Sequence, residues 1–112
     1  LMCQIESRRG VENIEAILAV EGIDVGFIGP NDMTQDYGIL GQFEHPDIVA
    51  AFERVIAAAR ANGKWSGVHF GSAAPLAPWL SRGMQINMCG SDNGLLALGA
   101  AAMRRQLEGG VA

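Results

Sequence analysis

Hydrophobic and polar positions follow two alternating patterns along this chain. Short, nearly continuous apolar runs predict buried strands at 1–6, 24–28, 64–70 and 84–90. Segments with apolar residues at every third or fourth position predict helices at 10–22, 46–61, 73–83 and 91–109. The predicted order therefore alternates strand and helix four times, beginning with a strand.

Residues that begin or end helices support these boundaries. Pro46 suits the first position of a helix, and Asn62–Gly63 suit its end. Gly22 is placed to stop the first helix, whereas Pro78 predicts an interruption in the third. The polar, glycine-containing segment 31–45 is too long for a plain turn, and we expect a short helical turn within it.

Alternating strands and helices predict an α/β fold of four parallel βα units with right-handed crossovers. The length of 112 residues is that of one domain, so we predict a single domain over residues 1–112.

Composition excludes several classes of function. The chain is 49% hydrophobic and 18% charged with a net charge of -4, which predicts a globular protein without the basic surface that nucleic acid requires. Its apolar runs are shorter than the roughly 20 residues of a membrane helix, so we expect no membrane partner. Cys3 and Cys89 are isolated within apolar runs, which favours free core thiols and a cytoplasmic location.

Carboxylates follow two consecutive predicted strands. Glu6 ends the first strand, and Gly29–Pro30 turn the second into Asn31 and Asp32. Adjacent strands lie about 4.8 Å apart, so both carboxylates can reach one ion beyond the sheet. Oxygen ligands with open positions suit Mg²⁺ or Mn²⁺. Glycine permits close approach, proline fixes the corner, and the N–H groups of Asn31 and Asp32 would face an anion.

A purely structural explanation of these carboxylates stays open. Asp32 could only cap the following helix, and Glu6 could be a solvated loop charge. Arg8 and Arg9 follow Glu6 and could contact a substrate anion, but exposed loop arginines are common.

The remaining polar and aromatic candidates have structural interpretations. We expect His69 to fill a hydrogen-bonded interior position and His45 to lie at a helix entry. Ser91–Asp92 should cap the last helix. Trp65 and Trp79 should pack in the core or at an interface.

Four segments resemble a known family, and the resemblance runs essentially the full 112 residues. They are CQIES, GVENIEAILAVEGIDVGFIGPNDM, HPDIVAAFERVIAAARANGK and CGSDNGLLALGAAAMRRQL. Together they resemble the C-terminal half of HpcH/HpaI-type, metal-dependent (class II) pyruvate aldolases. The resemblance implies that the chain supplies strands five to eight of a (β/α)₈ TIM barrel.

The same resemblance implies a set of site residues. Glu6 and Asp32 would hold the divalent metal ion, Mg²⁺ or Mn²⁺, and Gln4 would line the substrate pocket. The turn of Gly29 and Pro30, with the N–H groups of Asn31 and Asp32, would bind the pyruvate carboxylate. The family commonly has alanine before this aspartate and leucine after it, where this chain has Asn31 and Met33. The polar Asn31 could alter how the rim of the pocket contacts the acceptor aldehyde.

The activity implied is that of a lyase that cleaves or forms 4-hydroxy-2-oxo acids through a pyruvate enolate, with an aldehyde as the second substrate. The family's catalytic arginine and histidine-containing acid/base pair belong to the N-terminal half of the barrel, so no catalytic residue is identifiable in this chain. The alternative is a non-catalytic half-barrel that at most binds metal and 2-oxo acids. A lyase acting on acyl-CoA thioesters ranks lower, because we find no adenine-nucleotide site.

Association is also expected. Four βα units cannot close an eight-stranded barrel, and an open parallel sheet leaves two unpaired edges. We therefore expect a complementary half-barrel or a homo-oligomer. The resemblance places an interface in the last helix, at residues 94–107.

Overall fold

Four parallel strands form one sheet in the computed structural model, which describes residues 1–109. The last three residues of the predicted domain, 110–112, lie outside this range. The strands are β1 (Met2–Ile5), β2 (Val25–Ile28), β3 (Trp65–Phe70) and β4 (Ile86–Cys89). The helices are α1 (Arg8–Glu12), α2 (Ile14–Ala19), α3 (Pro30–Asp36), α4 (Pro46–Ala61), α5 (Ala73–Ser81) and α6 (Asp92–Gly109).

The strands lie in the sheet in the same order as in the sequence. Every neighbouring pair is parallel, and Ile5, Ile28 and Val68 are register partners across the first three strands. Four parallel βα units are therefore present, as the alternating pattern predicts. Because register partners point to the same face, the alternation of side chains divides the sheet into two different faces.

One face of the sheet carries the hydrophobic core. Ile5, Ile28 and Val68 are fully buried there against residues of the helices, among them Phe52 of α4. The helix α4 packs on β2 and β3, and α5 packs on β3 and β4. This arrangement, with sequential parallel strands and their helices on one face, is that of a segment of a β/α barrel.

The opposite face would line the interior of such a barrel. It carries Gln4 and Phe27, together with three apolar side chains that are about half exposed: Met2 (47%), Trp65 (53%) and Met88 (53%). The nearly continuous apolar runs predict strands that are buried. In the described residues, helices cover only the face described above.

The prediction of one continuous helix over residues 10–22 is wrong. Residues 8–19 instead form two short helices that meet at Asn13, where φ is −105° and ψ is 11°. The Asn13 side chain donates a hydrogen bond to the carbonyl of Arg9 (2.8 Å), so it ends α1 while the chain turns into α2. Asparagine side chains compete with the helical ladder in this way. Gly22, at φ 85°, lies in the turn after α2.

The predicted interruption at Pro78 is also wrong, because α5 runs without a break from Ala73 to Ser81. Proline removes the hydrogen bond that residue 78 would donate to the carbonyl of Ala74. Ala74 is exposed in the first turn, where water can satisfy that carbonyl. Pro46, in contrast, begins α4 as predicted, and Asn62 ends it.

The last helix, α6, differs from the others because none of its residues is buried. The described residues extend over 61 × 29 × 22 Å. In this part of the chain, no helix combines the length and the apolar character that crossing a membrane requires.

Candidate functional site

The candidate site lies where β1 and β2 end. The N–H of Gly29 donates to the carbonyl of Ile5 (3.0 Å), which continues the hydrogen bonding of the two strands one residue beyond β2. Glu6 therefore leaves the sheet beside the Gly29–Pro30 corner. Chemistry in parallel α/β folds concentrates at this edge, the carboxyl ends of the strands.

Gln4 and Glu6 form a hydrogen-bonded pair at this edge. They are two residues apart, on the side of β1 opposite to the buried Ile5, and Gln4 Nε2 donates to Glu6 Oε2 (2.7 Å). A Cβ atom built on Gly29 would lie 2.9 Å from each of these two atoms. The predicted residues Gln4, Glu6 and Gly29 are thus in direct contact.

The helix α3 begins at the same corner. Gly29 is its N-cap and Pro30 its first residue, and the first N–H to bond within the helix is that of Met33, which donates to Gly29 O (2.9 Å). The N–H groups of Asn31 and Asp32 precede that bond and have no partner within the helix. Asp32 lies in the first turn with its side chain exposed.

Thr34 anchors this helix and was not predicted from the sequence. It is fully buried, donates from Oγ1 to the carbonyl of Asn31 (2.8 Å), and accepts from the N–H of Gly41 (3.0 Å). It thereby ties the first turn of α3 to the loop that leads into α4. Only its position four residues after a strand-end corner could have suggested this role.

The donor chemistry of the corner fits a hard divalent cation. Glu6 and Asp32 offer carboxylate oxygens, and Mg²⁺ is usually held by one or two carboxylates together with water and substrate oxygens. No group of three or more His, Cys, Asp or Glu side chains placed to hold a metal ion occurs within residues 1–109. A closed site with protein ligands alone is therefore not built in the described part of the chain, whereas an open two-carboxylate site fits the residues present.

The histidines and the last cap are placed as predicted. Half-buried His69 is hydrogen-bonded through Nε2 to Gly90 O (2.9 Å). His45 is the N-cap of α4, where its Nδ1 accepts from the N–H of Asp47 (3.2 Å). Ser91 precedes α6, and its Oγ accepts from the N–H of Gly94 (3.2 Å).

Arg8 is directed onto an aromatic ring. Its guanidinium lies 4.0 Å from the centre of the Tyr37 ring, and its backbone N–H donates to Asp36 Oδ2 (2.7 Å). Burial raises the pKa of Tyr37 above its usual value, and the positive charge of Arg8 opposes this shift.

The two tryptophans differ from each other in burial, and so do the two cysteines. Trp79 is buried with its ring centre 4.6 Å from that of Phe52, whereas Trp65 is exposed. Cys3 packs partly against the core, but Cys89 is exposed on β4, so its prediction as a core thiol is wrong. It lies on an edge strand, and the helix that follows this strand, α6, buries none of its own residues.

Fold and site together define the class: part of a TIM-barrel-like α/β protein with acidic residues at its strand ends. Residues 1–98 match the model of the HpcH/HpaI aldolase/citrate lyase family. The chain belongs to this family, and the suggested resemblance is confirmed.

Curated relatives are longer than this chain. The chain is 39% identical over 99 residues to a 5-keto-4-deoxy-D-glucarate aldolase of Escherichia fergusonii, covering 88% of this chain and 39% of the relative. It is 40% identical over 103 residues to a 4-hydroxy-2-oxo-heptane-1,7-dioate aldolase of Salmonella paratyphi B, covering 92% and 39%. The chain therefore spans about two fifths of these relatives.

Solved structures agree with the fold. An HpcH/HpaI aldolase/citrate lyase family protein from Burkholderia cenocepacia superposes with a TM-score of 0.89 at 31% identity. The superposition covers 96% of this chain and 42% of the Burkholderia chain. The HpcH/HpaI aldolase from Desulfitobacterium hafniense gives 0.84 at 35% identity, with the same coverage. Macrophomate synthase gives 0.74 at 29% identity, covering 99% and 40%. The predicted partial TIM barrel is confirmed.

Proposed function

We propose that this chain carries the metal-binding half of the active site of an aldolase that forms or cleaves 4-hydroxy-2-oxo acids. The observation that carries the proposal is the Gln4–Glu6 pair, which packs against Gly29 at the start of α3. The distance from Gln4 Nε2 to Glu6 Oε2 is 2.7 Å. The family membership supports the reaction type, and the names of the two curated relatives support a 2-oxo acid substrate.

Glu6 and Asp32 are the proposed ligands of a divalent ion, Mg²⁺ or Mn²⁺. When bound, such an ion supplies Lewis acidity that polarises the ketone of a 2-oxo acid. The two carboxylates would hold the ion, and neither is assigned as the catalytic base. Gln4, on the barrel-interior face of β1, would line the substrate pocket beside the ion.

The corner of Gly29 and Pro30 is the proposed seat of the substrate carboxylate. The N–H groups of Asn31 and Asp32 have no partner within α3 and stand at the positive end of its peptide dipoles. Pro30 fixes the backbone at the first helical position. An anion beside these donors and the cation would be held in one orientation.

The acid and base that move the protons belong, in this proposal, to residues outside the chain. A complementary half-barrel would pair with the open edges of the sheet and cover the exposed Met2, Trp65 and Met88. We further propose that copies associate through α6, which exposes five large apolar side chains: Leu95, Leu96, Leu98, Met103 and Leu107. The two free cysteines fit a cytoplasmic location.

Exchange of the pyruvate methyl protons in D₂O, followed by NMR, tests the proposal. Because a bound ion makes the methyl protons of pyruvate more acidic, the buffer can act as the base that the chain does not supply. We therefore expect the wild-type chain with Mn²⁺ to accelerate exchange above the rate with Mn²⁺ alone, and EDTA or Glu6→Gln to abolish the gain. Glu21→Gln, in the exposed turn after α2, is the matched control and should exchange like the wild type.

A folded chain without any gain in exchange would contradict the enolising role. The alternative function would then hold, in which the half-barrel at most binds metal and 2-oxo acids. The discriminating observation is paramagnetic broadening of the pyruvate methyl signal by protein-bound Mn²⁺ without exchange. It would show binding without chemistry.

A further inference from the structure

We propose that Gln4 is a positioning residue for Glu6, and that position 29 is a glycine because the Gln4–Glu6 pair occupies the space of a side chain there. This inference deepens the proposed function and rests on it. It assigns to Gln4 a role toward a protein carboxylate, in addition to the pocket-lining role suggested by the family resemblance.

The hydrogen bond between the two residues has a fixed direction. An ionised carboxylate only accepts hydrogen bonds, so the amide nitrogen of Gln4 must be the donor to Glu6 Oε2. At 2.7 Å the bond has the length of a charge-assisted interaction. It restrains the flexible glutamate and engages one of its two oxygens. In residues 1–109, no other side chain donates to this carboxylate, so its second oxygen stays available for a cation.

Gly29 is not required by backbone conformation. Its φ of −94° and ψ of 90° are accessible to residues with a side chain. Space is the constraint, because an added Cβ would lie 2.9 Å from Gln4 Nε2, 2.9 Å from Glu6 Oε2 and 3.1 Å from Glu6 Cβ. Gly71, at the end of β3 on the same edge of the sheet, has no atom within 4 Å of the corresponding position.

These contacts predict how three substitutions act on metal affinity. Gln4→Ala and Gln4→Met remove the donor, and Gly29→Ala displaces the pair that the donor holds. Loss of a side chain that orients a metal ligand typically weakens metal binding by about 10- to 100-fold. Since both positions act on the same carboxylate, the loss in Gln4→Ala/Gly29→Ala should be smaller than the product of the single losses.

The experiment is a Mn²⁺ titration of the folded chain, followed by electron paramagnetic resonance. We expect the Kd to rise in the Gln4 and Gly29 variants, and the zero-field splitting of bound Mn²⁺ to change in Gln4→Met, because Glu6 would be held differently. Gln35→Ala, an exposed glutamine of α3, and Gly71→Ala are the matched controls and should bind as the wild type does. Circular dichroism reports whether each variant is folded.

The outcomes separate the two proposals. A wild-type chain that does not bind Mn²⁺ overturns the proposed function and this inference with it. A wild-type chain that binds Mn²⁺, with unchanged affinity and spectrum in folded Gln4→Ala and Gln4→Met, overturns the positioning role alone. If the loss of Mn²⁺ affinity in the double variant equals the product of the two single losses, the claim that the Gln4–Glu6 pair occupies the space at Gly29 is overturned. If Gly29→Ala does not fold, the two Gln4 variants decide the positioning role.

Discussion

The ring of Phe27 lies against the backbone of Gly67, its register partner on the neighbouring strand. A Cβ atom at Gly67 would lie 2.7 Å from Phe27 Cδ2 and 2.5 Å from the carbonyl oxygen of Ile86. The close fit of the three strands β2, β3 and β4 thus depends on the absence of a side chain at this position.

Gly67→Ala should destabilise the sheet. Overpacking typically costs about 1–3 kcal/mol, and here the blocking atom of Ile86 belongs to the backbone and cannot rotate away. Urea unfolding followed by circular dichroism measures the loss. Gly99→Ala, an exposed position of α6 with open space, is the control and should not lower the midpoint. An unchanged midpoint in Gly67→Ala would refute this account of the strand packing.

Phe52 should be the most costly aromatic side chain to truncate. It is fully buried, and its ring centre lies 4.6 Å from that of Trp79 and 6.4 Å from that of Phe70. Phe52→Ala should lower the free energy of unfolding by about 3–5 kcal/mol, and Phe52→Leu, which leaves a smaller cavity, by less. A loss in Phe52→Ala below about 0.5 kcal/mol, as at surface positions, would contradict the assignment of this core.

Tyr37 should titrate above the usual range for tyrosine. Burial raises its pKa, since charge on the ring is disfavoured away from water. Because the folded-state pKa is the higher one, stability is fully present below the unfolded-state pKa and is lost as the pH rises through the folded-state pKa. Tyr37 is the single tyrosine, so absorbance near the phenolate band follows it alone. Equal midpoints in the folded and urea-unfolded chain would contradict the shift.

The exposed face of α6 should mediate self-association. Leu96 and Leu107 are 72% and 73% exposed and lie close to one face, about three helical turns apart. Analytical ultracentrifugation should show oligomers of the wild-type chain, and Leu96→Glu/Leu107→Glu should shift the mass toward the 11.8 kDa monomer. Gln106→Glu adds charge at a polar position and should leave the mass unchanged. A wild-type chain that remains monomeric would refute this interface.

Several features of the fold could be predicted because they depend on local chemistry. Pro46 and Asn62 mark the ends of α4 through backbone preferences that act within one turn, and Ser91 caps α6 in the same way. The break at Asn13 could not be predicted, since the apolar stripe continues through α1 and α2 and only the asparagine side chain decides.

The candidate site could be predicted only in part. Parallel pairing of consecutive strands was enough to bring Glu6 beside the Gly29–Pro30 corner. The tight contact of Gln4 and Glu6 over Gly29 and the anchoring of α3 by buried Thr34 depend on packing between elements. Neither contact can be predicted from a local sequence pattern.

The central claim is that Glu6 and Asp32 bind one divalent ion. Isothermal titration calorimetry with Mn²⁺ tests it most directly. Four proteins are compared: the wild-type chain, Glu6→Gln, Asp32→Asn and the control Glu21→Gln. We predict one site in the wild type and the control, and loss of tight binding in both site variants with an unchanged circular dichroism spectrum. Equal Mn²⁺ affinity in all four proteins would contradict the claim.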